Sequence, residues 1–417
     1  MAFKLKISEP FVVTQGPRYK DIGWGPYQEP SLGMADDGTV YAGVKMTEDS
    51  GAAYGAKHGT AFFCSVDGGE TWRDVPREEW DEVAMKRAPK LPNGERVNVG
   101  ITPQTKVSES DLPKPAYELF GPETGRLRRA YLVSDIPDGI MHKGYFCDRY
   151  SSETKEVTRE LTKVDWPEMI VVSGGNNVLN TPFPHGRLRV APDGSVWLTH
   201  YARGLYPGTR APSLFFNQYY IKSEDNAHSW RLESCIPFIP DVRTMENPYL
   251  AEGFCEADIA FMPDGSMITL IRSGGGSLDM KFPLYFSRST DGGKNWSEPT
   301  VFDKFGVWPS LCVLPCGVTL ASYGRPGFFI RATDAPDGLS WEEPIMLLST
   351  ELKEDAYEIP CCEPSWPCEW RSTCSYSDII ALDDNTALVI YTDFYYPDEN
   401  GVPRKTVLCR KITVEKE

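Results

Sequence analysis

The chain has 417 residues, of which 41% are hydrophobic, 12% aromatic and 24% charged, and this composition excludes a mainly disordered protein. Its 43 basic and 59 acidic residues give a net charge of −16, which disfavours nucleic acid and anionic membranes as partners. No apolar stretch is long enough to span a bilayer. The N-terminal segment lacks an apolar run followed by a cleavage site, so we expect a cytoplasmic protein, with a trimmed exported form as the alternative.

Eleven cysteines in a chain with no visible export signal indicate reduced thiols rather than a disulfide framework. Four of them lie close together in the sequence, at Cys361, Cys362, Cys368 and Cys374. Their spacing lacks the two CxxC-type pairs that a structural zinc site prefers. We therefore predict no metal and no cofactor.

In chain order, the first predicted element is a β-strand segment at residues 4–14, KLKISEPFVVT. After it, an apolar strand, a tight turn and a second apolar strand recur five times, a pattern typical of β-hairpins. The turns are centred on Gly38, Gly194, Gly265, Gly317 and Asn385. Residues 77–88, REEWDEVAMKRA, follow the first of these units and predict a short surface helix.

A second pattern, Ser-x-Asp-x-Gly-x-Thr-Trp or a near copy, follows the first four hairpins. The copies are Ser65–Trp72, Ser223–Trp230, Ser289–Trp296 and Ala332–Trp341. The aspartate of each copy can accept hydrogen bonds from turn amides, and the tryptophan can pack between neighbouring strands. We interpret these segments as structural. A hairpin and the segment after it supply four strands, which is the blade of a β-propeller.

The 156-residue gap between Gly38 and Gly194 holds two further β-rich segments, residues 126–139 and 145–161, which we predict to form one degenerate blade. The sequence thus predicts an all-β fold, a six-bladed β-propeller with four-stranded antiparallel blades. We expect a single domain over residues 1–417, in which the N-terminal strand closes the ring by joining the last blade.

The repeated turns resemble the Asp-box (BNR) repeat of the sialidase (neuraminidase) superfamily, over nearly the whole chain. The resemblance implies the propeller fold but not by itself an activity. In a propeller the first strand of each blade lines the central funnel. Nine residues before each hairpin turn residue stand Glu29, His185, Glu256, Trp308 and Tyr376. Where the second strand returns to the same end stand Lys45, Tyr201, Arg272, Arg325 and Asp393.

Carboxylates, a histidine and aromatic rings at funnel positions are typical of a sugar site, and arginines in two successive blades favour an anionic ligand. We therefore predict substrate contacts for Glu29, Gln28, Trp308, His185 and Lys45. The resemblance to sialidases implies a nucleophile, its base and an acid/base residue, and it also implies two substrate arginines. The matching positions are Tyr376 in YSDI, Glu256, Asp49, Arg272 and Arg325.

The sialidase Arg-Ile-Pro signature reads Gln28-Glu29-Pro30 here, so an arginine of the family's carboxylate clamp is replaced and a negative charge is added. Lys45, Arg187 and Arg203 are candidates to compensate. A phenol ionises near pH ~10 and needs a base to act as a nucleophile at neutral pH. A neutral nucleophile also avoids repulsion by an anionic sugar.

The resulting prediction is a sialidase-like, exo-acting and retaining glycoside hydrolase that removes a terminal acidic sugar, sialic acid or a relative, from a glycan or small saccharide. A lyase acting on a uronic-acid glycan and a non-catalytic carbohydrate-binding propeller are the alternatives. The sequence leaves the sugar, its linkage and the oligomeric state open.

Overall fold

The computed structural model describes residues 3–48, 59–100, 105–121, 126–166, 169–173, 178–180, 187–206, 208–213, 215–240, 251–275, 282–351 and 374–416. Asp49, His185 and three of the clustered cysteines lie outside these ranges. Within these ranges 54% of the residues are in strands and 6% in helices, so the described chain is nearly all β, which confirms the predicted class. No helix in the described ranges has the length and apolar character needed to cross a membrane.

Strands and helices occur in the following order. Strands in the first part of the chain are β1 Phe3–Ile7, β2 Phe11–Gln15, β3 Gln28–Met34, β4 Val40–Lys45, β5 Thr60–Ser65, β6 Arg73–Asp74, β7 Arg96–Gly100, β8 Thr105–Lys106, β9 Tyr117–Gly121, β10 Arg126–Leu132, β11 Gly144–Tyr150, β12 Val157–Asp165, β13 Ile170–Ser173 and β14 Val178–Asn180. Those that follow are β15 Leu188–Val190, β16 Val196–Ala202, β17 Asn217–Ser223, β18 Ser229–Ile236, β19 Ala251–Phe261, β20 Met267–Gly275, β21 Leu284–Ser289, β22 Thr300–Asp303, β23 Val307–Val313, β24 Thr319–Gly324, β25 Phe328–Thr333, β26 Ile345–Leu348, β27 Cys374–Ala381, β28 Thr386–Pro397 and β29 Pro403–Lys416. The α-helices are α1 Tyr19–Ile22 and α2 Trp80–Lys86, and 3-10 turns lie at Arg77–Glu79, Glu109–Asp111 and Val133–Asp135.

Each of the five predicted hairpins forms, and each supplies the first two strands of a sheet or of part of a sheet. Three sheets have four antiparallel strands, β3 to β6, β19 to β22 and β23 to β26. Strands β15 to β18 run in the same order within a seven-stranded sheet. Gly38, Gly194, Gly265 and Gly317 adopt φ values between 82° and 92° in their turns, a conformation that favours glycine.

The last sheet contains both ends of the described chain. Strands β27, β28 and β29 pair in order, and β1 and β2 pair antiparallel with β29 along its other edge. Phe3 lies opposite Lys416, and Phe11 lies opposite Cys409. The predicted closure of the last sheet by the N-terminal strand is therefore observed.

The long gap between the first two hairpins folds differently from the prediction of one degenerate blade. Strand β10 belongs to a separate five-stranded sheet, β8-β14-β13-β10-β9. Strand β11 pairs with β7 on one edge and with β12 on the other, so neither of its edges is left for β10. Strand β12 in turn pairs in parallel with β18 through Lys163–Asp165, which joins β7, β11 and β12 to the β15–β18 sheet.

The apolar core is a series of interfaces between successive sheets. Strand β3 packs against β27, β27 against β23, β23 against β19, and β19 against β16. One large cluster joins residues of β23–β25 to residues of β27–β29, and others join β4 and β5 to β28 and β29, and β16 and β17 to β19–β21. Strands β3, β27, β23 and β19, each the first strand of its hairpin, thus lie side by side, which brings their polar residues together.

Candidate functional site

The site is built on a backbone irregularity that three of the first strands share. Glu29, Glu256 and Trp308 have φ values of 48°, 47° and 45°, a left-handed conformation that residues other than glycine rarely adopt. At each of them the register with the second strand shifts, as in a β-bulge. A fourth shift lies between Cys374 and Ser377, where Tyr376 stands. Strained backbone of this kind clusters at functional sites.

At the centre, Glu256 on β19 accepts hydrogen bonds through both carboxylate oxygens. The Tyr376 hydroxyl on β27 donates to Oε1, and Arg272 on β20 donates from Nη1 to Oε2 at 2.5 Å. Glu256 is only 6% exposed. The sequence predicted all three residues, and the structure brings them into one hydrogen-bonded group.

The electrostatic environment keeps the Tyr376 phenol protonated. Burial, and then the Glu256 carboxylate, raise the pKa of Tyr376 well above its ordinary value, while Arg272 and Arg325 oppose the shift. Burial and the same carboxylate also raise the pKa of Tyr201. Burial lowers the pKa of Arg272, but Glu256, Cys255 and Tyr376 together outweigh burial and raise that pKa well above normal. A phenol held in this way reacts as a nucleophile only if a neighbouring base accepts its proton.

Trp308 forms a flat aromatic layer with Tyr376. Their ring centroids are 4.6 Å apart and the ring planes differ by 9°. The guanidinium carbon of Arg187 lies 5.4 Å from the centroid of the Trp308 ring, within the range of a cation–π contact.

Glu29 and Lys45 form an ion pair in the first sheet, with 2.9 Å between Oε1 and Nζ. Their positions in the hairpin match those of Glu256 and Arg272, so the same pairing occurs in two sheets. Arg325 is 6% exposed, has a φ of 58°, and places its guanidinium carbon 5.0 Å from the Trp24 ring centroid.

Gln28 departs from its predicted role in substrate binding. It is completely buried, and its Oε1 accepts hydrogen bonds from Lys405 Nζ at 2.5 Å and from the Gly25 amide at 2.6 Å. Its side chain therefore holds strand β29 and the chain before β3 together instead of facing a ligand. Sequence alone does not reveal this, because Lys405 lies 377 positions further along the chain.

Two buried aspartates form a second polar layer that the sequence analysis missed. Asp258 and Asp378 stand two positions after Glu256 and Tyr376, and their carboxylates accept hydrogen bonds from the Leu311 amide at 2.7 Å and the Leu32 amide at 2.9 Å. Each aspartate therefore links its own sheet to the next one. The residues two positions after Glu29, His185, Glu256, Trp308 and Tyr376 would have identified this layer from the sequence. It consists of Ser31, Arg187, Asp258, Ser310 and Asp378.

Two of the candidates to compensate for the missing arginine already have partners. Arg187 Nη1 lies 2.5 Å from Asp378 Oδ1, and the guanidinium carbon of Arg203 lies 4.4 Å from the centroid of the Phe216 ring.

Within the described ranges, no group of three or more His, Cys, Asp or Glu side chains is arranged to hold a metal ion.

Comparison with known proteins gives information about the fold. No protein-family model matches the chain, and no curated protein matches it. Among solved structures, a protein of unknown function from Dyadobacter fermentans is similar at 16% identity, with 99% of each chain covered and a TM-score of 0.62. The K499G mutant of NanB sialidase from Streptococcus pneumoniae is similar at 13% identity, with 97% of this chain and 71% of that chain covered and a TM-score of 0.50. The chain therefore has a sialidase-like, propeller-type fold.

Proposed function

We propose that this chain is an exo-acting, retaining glycoside hydrolase of the sialidase type that removes a terminal acidic sugar. The observation that carries the proposal is the hydrogen bond from the Tyr376 hydroxyl to Glu256, next to Arg272 and under the Trp308 ring. A buried phenol paired with a carboxylate is the arrangement that a neutral nucleophile and its base require.

In the proposed reaction Tyr376 attacks the anomeric carbon while Glu256 accepts its proton. Asp49 donates a proton to the leaving oxygen as the glycosidic bond breaks. Water, deprotonated by Asp49, then hydrolyses the glycosyl–tyrosine bond, and the proton returns from Glu256 to the phenolate. Two displacements at one carbon retain its configuration.

Charge supports an anionic sugar despite the glutamate at position 29. The Lys45 ammonium, 2.9 Å from Glu29, neutralises that carboxylate. Arg272, which is hydrogen-bonded to Glu256, and Arg325 both lie close enough to Tyr376 to affect its pKa, so we expect an anionic group on a bound sugar to meet these two guanidinium groups. Trp308 offers a flat surface for a sugar ring.

We also propose that the fold is a six-bladed propeller with Asp-box turns. Five blades correspond to the sheets that the five hairpins open. Strands β7, β11 and β12 would form the remaining blade, with three strands, between the first hairpin and the second. Ser65, Ser223 and Ser289 each donate to the aspartate two positions later at 2.7 to 2.8 Å, which supports the assignment of the turns.

The test is turnover of aryl glycosides that span α-sialosides, β-uronides and neutral sugars, by the natural chain and by Tyr376→Phe. We expect release from an acidic glycoside and a loss of at least ~10³-fold in kcat for Tyr376→Phe, since the nucleophile is removed. Tyr41→Phe, which removes a tyrosine hydroxyl on β4 outside the proposed site, is the control and should retain activity.

Three results would contradict the proposal. Undiminished activity of Tyr376→Phe would exclude the tyrosine as nucleophile. An unsaturated sugar product, formed from a uronic-acid glycan without an aryl group, would indicate a lyase instead. Calorimetric binding of a glycan without turnover of any substrate would indicate a carbohydrate-binding protein.

A further inference from the structure

Arg187 lies between the strands that carry the two proposed reacting residues, and its side chain is fixed to one of them. Its Nη2 donates to the Ser377 carbonyl at 2.9 Å, and Ser377 directly follows Tyr376. Its Nη1 donates to Asp378 Oδ1 at 2.5 Å. The planar guanidinium therefore holds β27 at two adjacent residues.

The main chain of Arg187 is fixed to the other strand through one hydroxyl group. The Arg187 amide donates to Thr199 Oγ1 at 3.0 Å, and Thr199 Oγ1 donates to the Ala257 carbonyl at 2.8 Å. Ala257 directly follows Glu256. Arg187 and Thr199 together thus connect the backbone next to the proposed nucleophile with the backbone next to its proposed base.

Two further contacts limit how the Arg187 side chain can move. Its Nε lies 3.6 Å from Asp258 Oδ2, so the guanidinium stands between the two buried aspartates of the second layer. On its other side is the Trp308 ring, which stacks on Tyr376. A planar guanidinium can donate to the Ser377 carbonyl and pair with both carboxylates while its face lies on the Trp308 ring. The ammonium group of a lysine cannot make all of these contacts at once.

We propose that Arg187 is a positioning residue: it sets the separation of the Tyr376 hydroxyl and the Glu256 carboxylate by joining the strands that carry them. The inference rests on the proposed function for its effect on catalysis, while the positioning itself is independent of any activity. A shift of about 1 Å between reacting groups can cost ~10²-fold in rate. The effect should therefore fall on kcat and leave KM nearly unchanged.

The experiment compares Arg187→Met and Arg187→Lys with Arg189→Met. Arg189 is the matched control because it also binds Asp258, at 2.9 and 2.5 Å, and donates to the Leu311 carbonyl at 3.1 Å. These partners lie on β19 and β23, so its loss removes the half-buried partner of a buried aspartate without releasing β27. The measurements are kcat and KM on the best glycoside, and the NMR resonance of 13Cζ-labelled Tyr376, assigned by its absence in Tyr376→Phe.

We expect kcat to fall ~10²-fold in Arg187→Met and ~10-fold in Arg187→Lys, with KM changed less than ~3-fold. The Tyr376 resonance should shift in both variants because its hydrogen bond to Glu256 is weakened. Arg189→Met should change kcat less than ~3-fold and leave the Tyr376 resonance in place. This should hold even if Arg189→Met lowers the melting temperature of the protein as much as Arg187→Met does.

The inference is overturned if the Arg187 variants leave the Tyr376 resonance unmoved, or if Arg189→Met moves it equally. Should Arg187→Met fail to fold, Arg187→Lys keeps the positive charge and decides the question. If the natural chain turns over no glycoside, the proposed function fails, but the resonance still decides whether Arg187 positions Tyr376.

Discussion

The ion pair between Glu29 and Lys45 changes the charge that Glu29 presents to a ligand. As an isolated carboxylate it would repel an acidic sugar. Lys45 lies 2.9 Å away, with 12% of its side chain exposed against 29% for Glu29, so the pair is partly shielded from water. Charges a few ångströms apart near a protein surface interact by ~1–4 kcal/mol. The local charge that a ligand meets is therefore that of the pair.

Lys45→Met should leave the Glu29 carboxylate unneutralised, so that it repels the anionic group of an acidic sugar. We expect KM for an acidic glycoside to rise about tenfold, which corresponds to ~1.4 kcal/mol, with a smaller change in kcat. Steady-state kinetics on an acidic and a neutral glycoside measures the effect, and only the acidic one should respond.

The double variant Lys45→Met/Glu29→Gln is the control for this prediction. It removes both charges together, so KM for the acidic glycoside should return towards that of the natural chain. A double variant as impaired as Lys45→Met would show that Lys45 binds the sugar directly instead of neutralising Glu29.

At the scale of elements, the repeated turns attach each sheet to its neighbour. A Cβ on Gly69 would lie 2.7 Å from Leu388, and one on Gly293 would lie 2.5 Å from Trp197. Both contacted side chains belong to the adjacent sheet. Trp296, which closes the third of these turns, does the same, since it stacks on Tyr220 with centroids 4.4 Å apart. The repeat thus encodes packing between sheets as well as the turn itself.

Gly293→Ala should destabilise the protein much more than Gly292→Ala. Both glycines have positive φ, 83° and 74°, so alanine costs roughly 1–2 kcal/mol of backbone strain at either position. At Gly293 the added methyl group also meets the Trp197 ring, which adds ~1–3 kcal/mol, whereas nothing lies within 4 Å at Gly292. Denaturant unfolding of the two variants provides the comparison, and equal free energies of unfolding would exclude the packing role.

At the scale of the whole molecule, the turn aspartates connect stability to pH. The amide and side chain of Asn295, followed by the Ser289 hydroxyl, lower the pKa of Asp291 to about 2. The hydroxyl and amide of Thr71, followed by Ser65, lower the pKa of Asp67 below its usual range. The ordinary value for both is 3.8, so the folded chain binds fewer protons than the unfolded chain at acid pH.

The sign of this linkage predicts acid sensitivity. The contribution of these carboxylates is complete above about pH 4 and is lost progressively as the pH falls from 4 through 2. We expect Asp67→Asn/Asp291→Asn to lose less stability across that interval than the natural chain, as measured by denaturant unfolding at several pH values. Glu298→Gln, at an exposed carboxylate just beyond the third turn, is the control. Parallel curves for the double variant and the natural chain would contradict the linkage.

Local structure could be predicted from the order of the residues alone. A tight turn between two apolar strands specifies a hairpin wherever it occurs, because the turn glycine and the alternating side chains act within about fifteen residues. Counting from those turns placed Glu29, Glu256, Trp308 and Tyr376 at equivalent positions, and the Glu256–Tyr376 pair could be predicted in this way. The closing of the last sheet by the N-terminal strand followed from the same repeat.

Other contacts between sheets could not be predicted in this way. The left-handed backbone at Glu256 leaves no mark in composition or spacing. The hydrogen bond from Lys405 to Gln28, the hydrogen bonds that the two second-layer aspartates accept from neighbouring sheets, and the connection through Arg187 all join residues far apart in the chain. The segment between the first two hairpins is a further example. Strand β11 has β7 on one edge and β12 on the other, so it cannot pair with β10, and the sequence does not reveal this. A repeat determines each unit because its hydrogen bonds are local, whereas the packing of one unit against the next depends on how the whole chain closes.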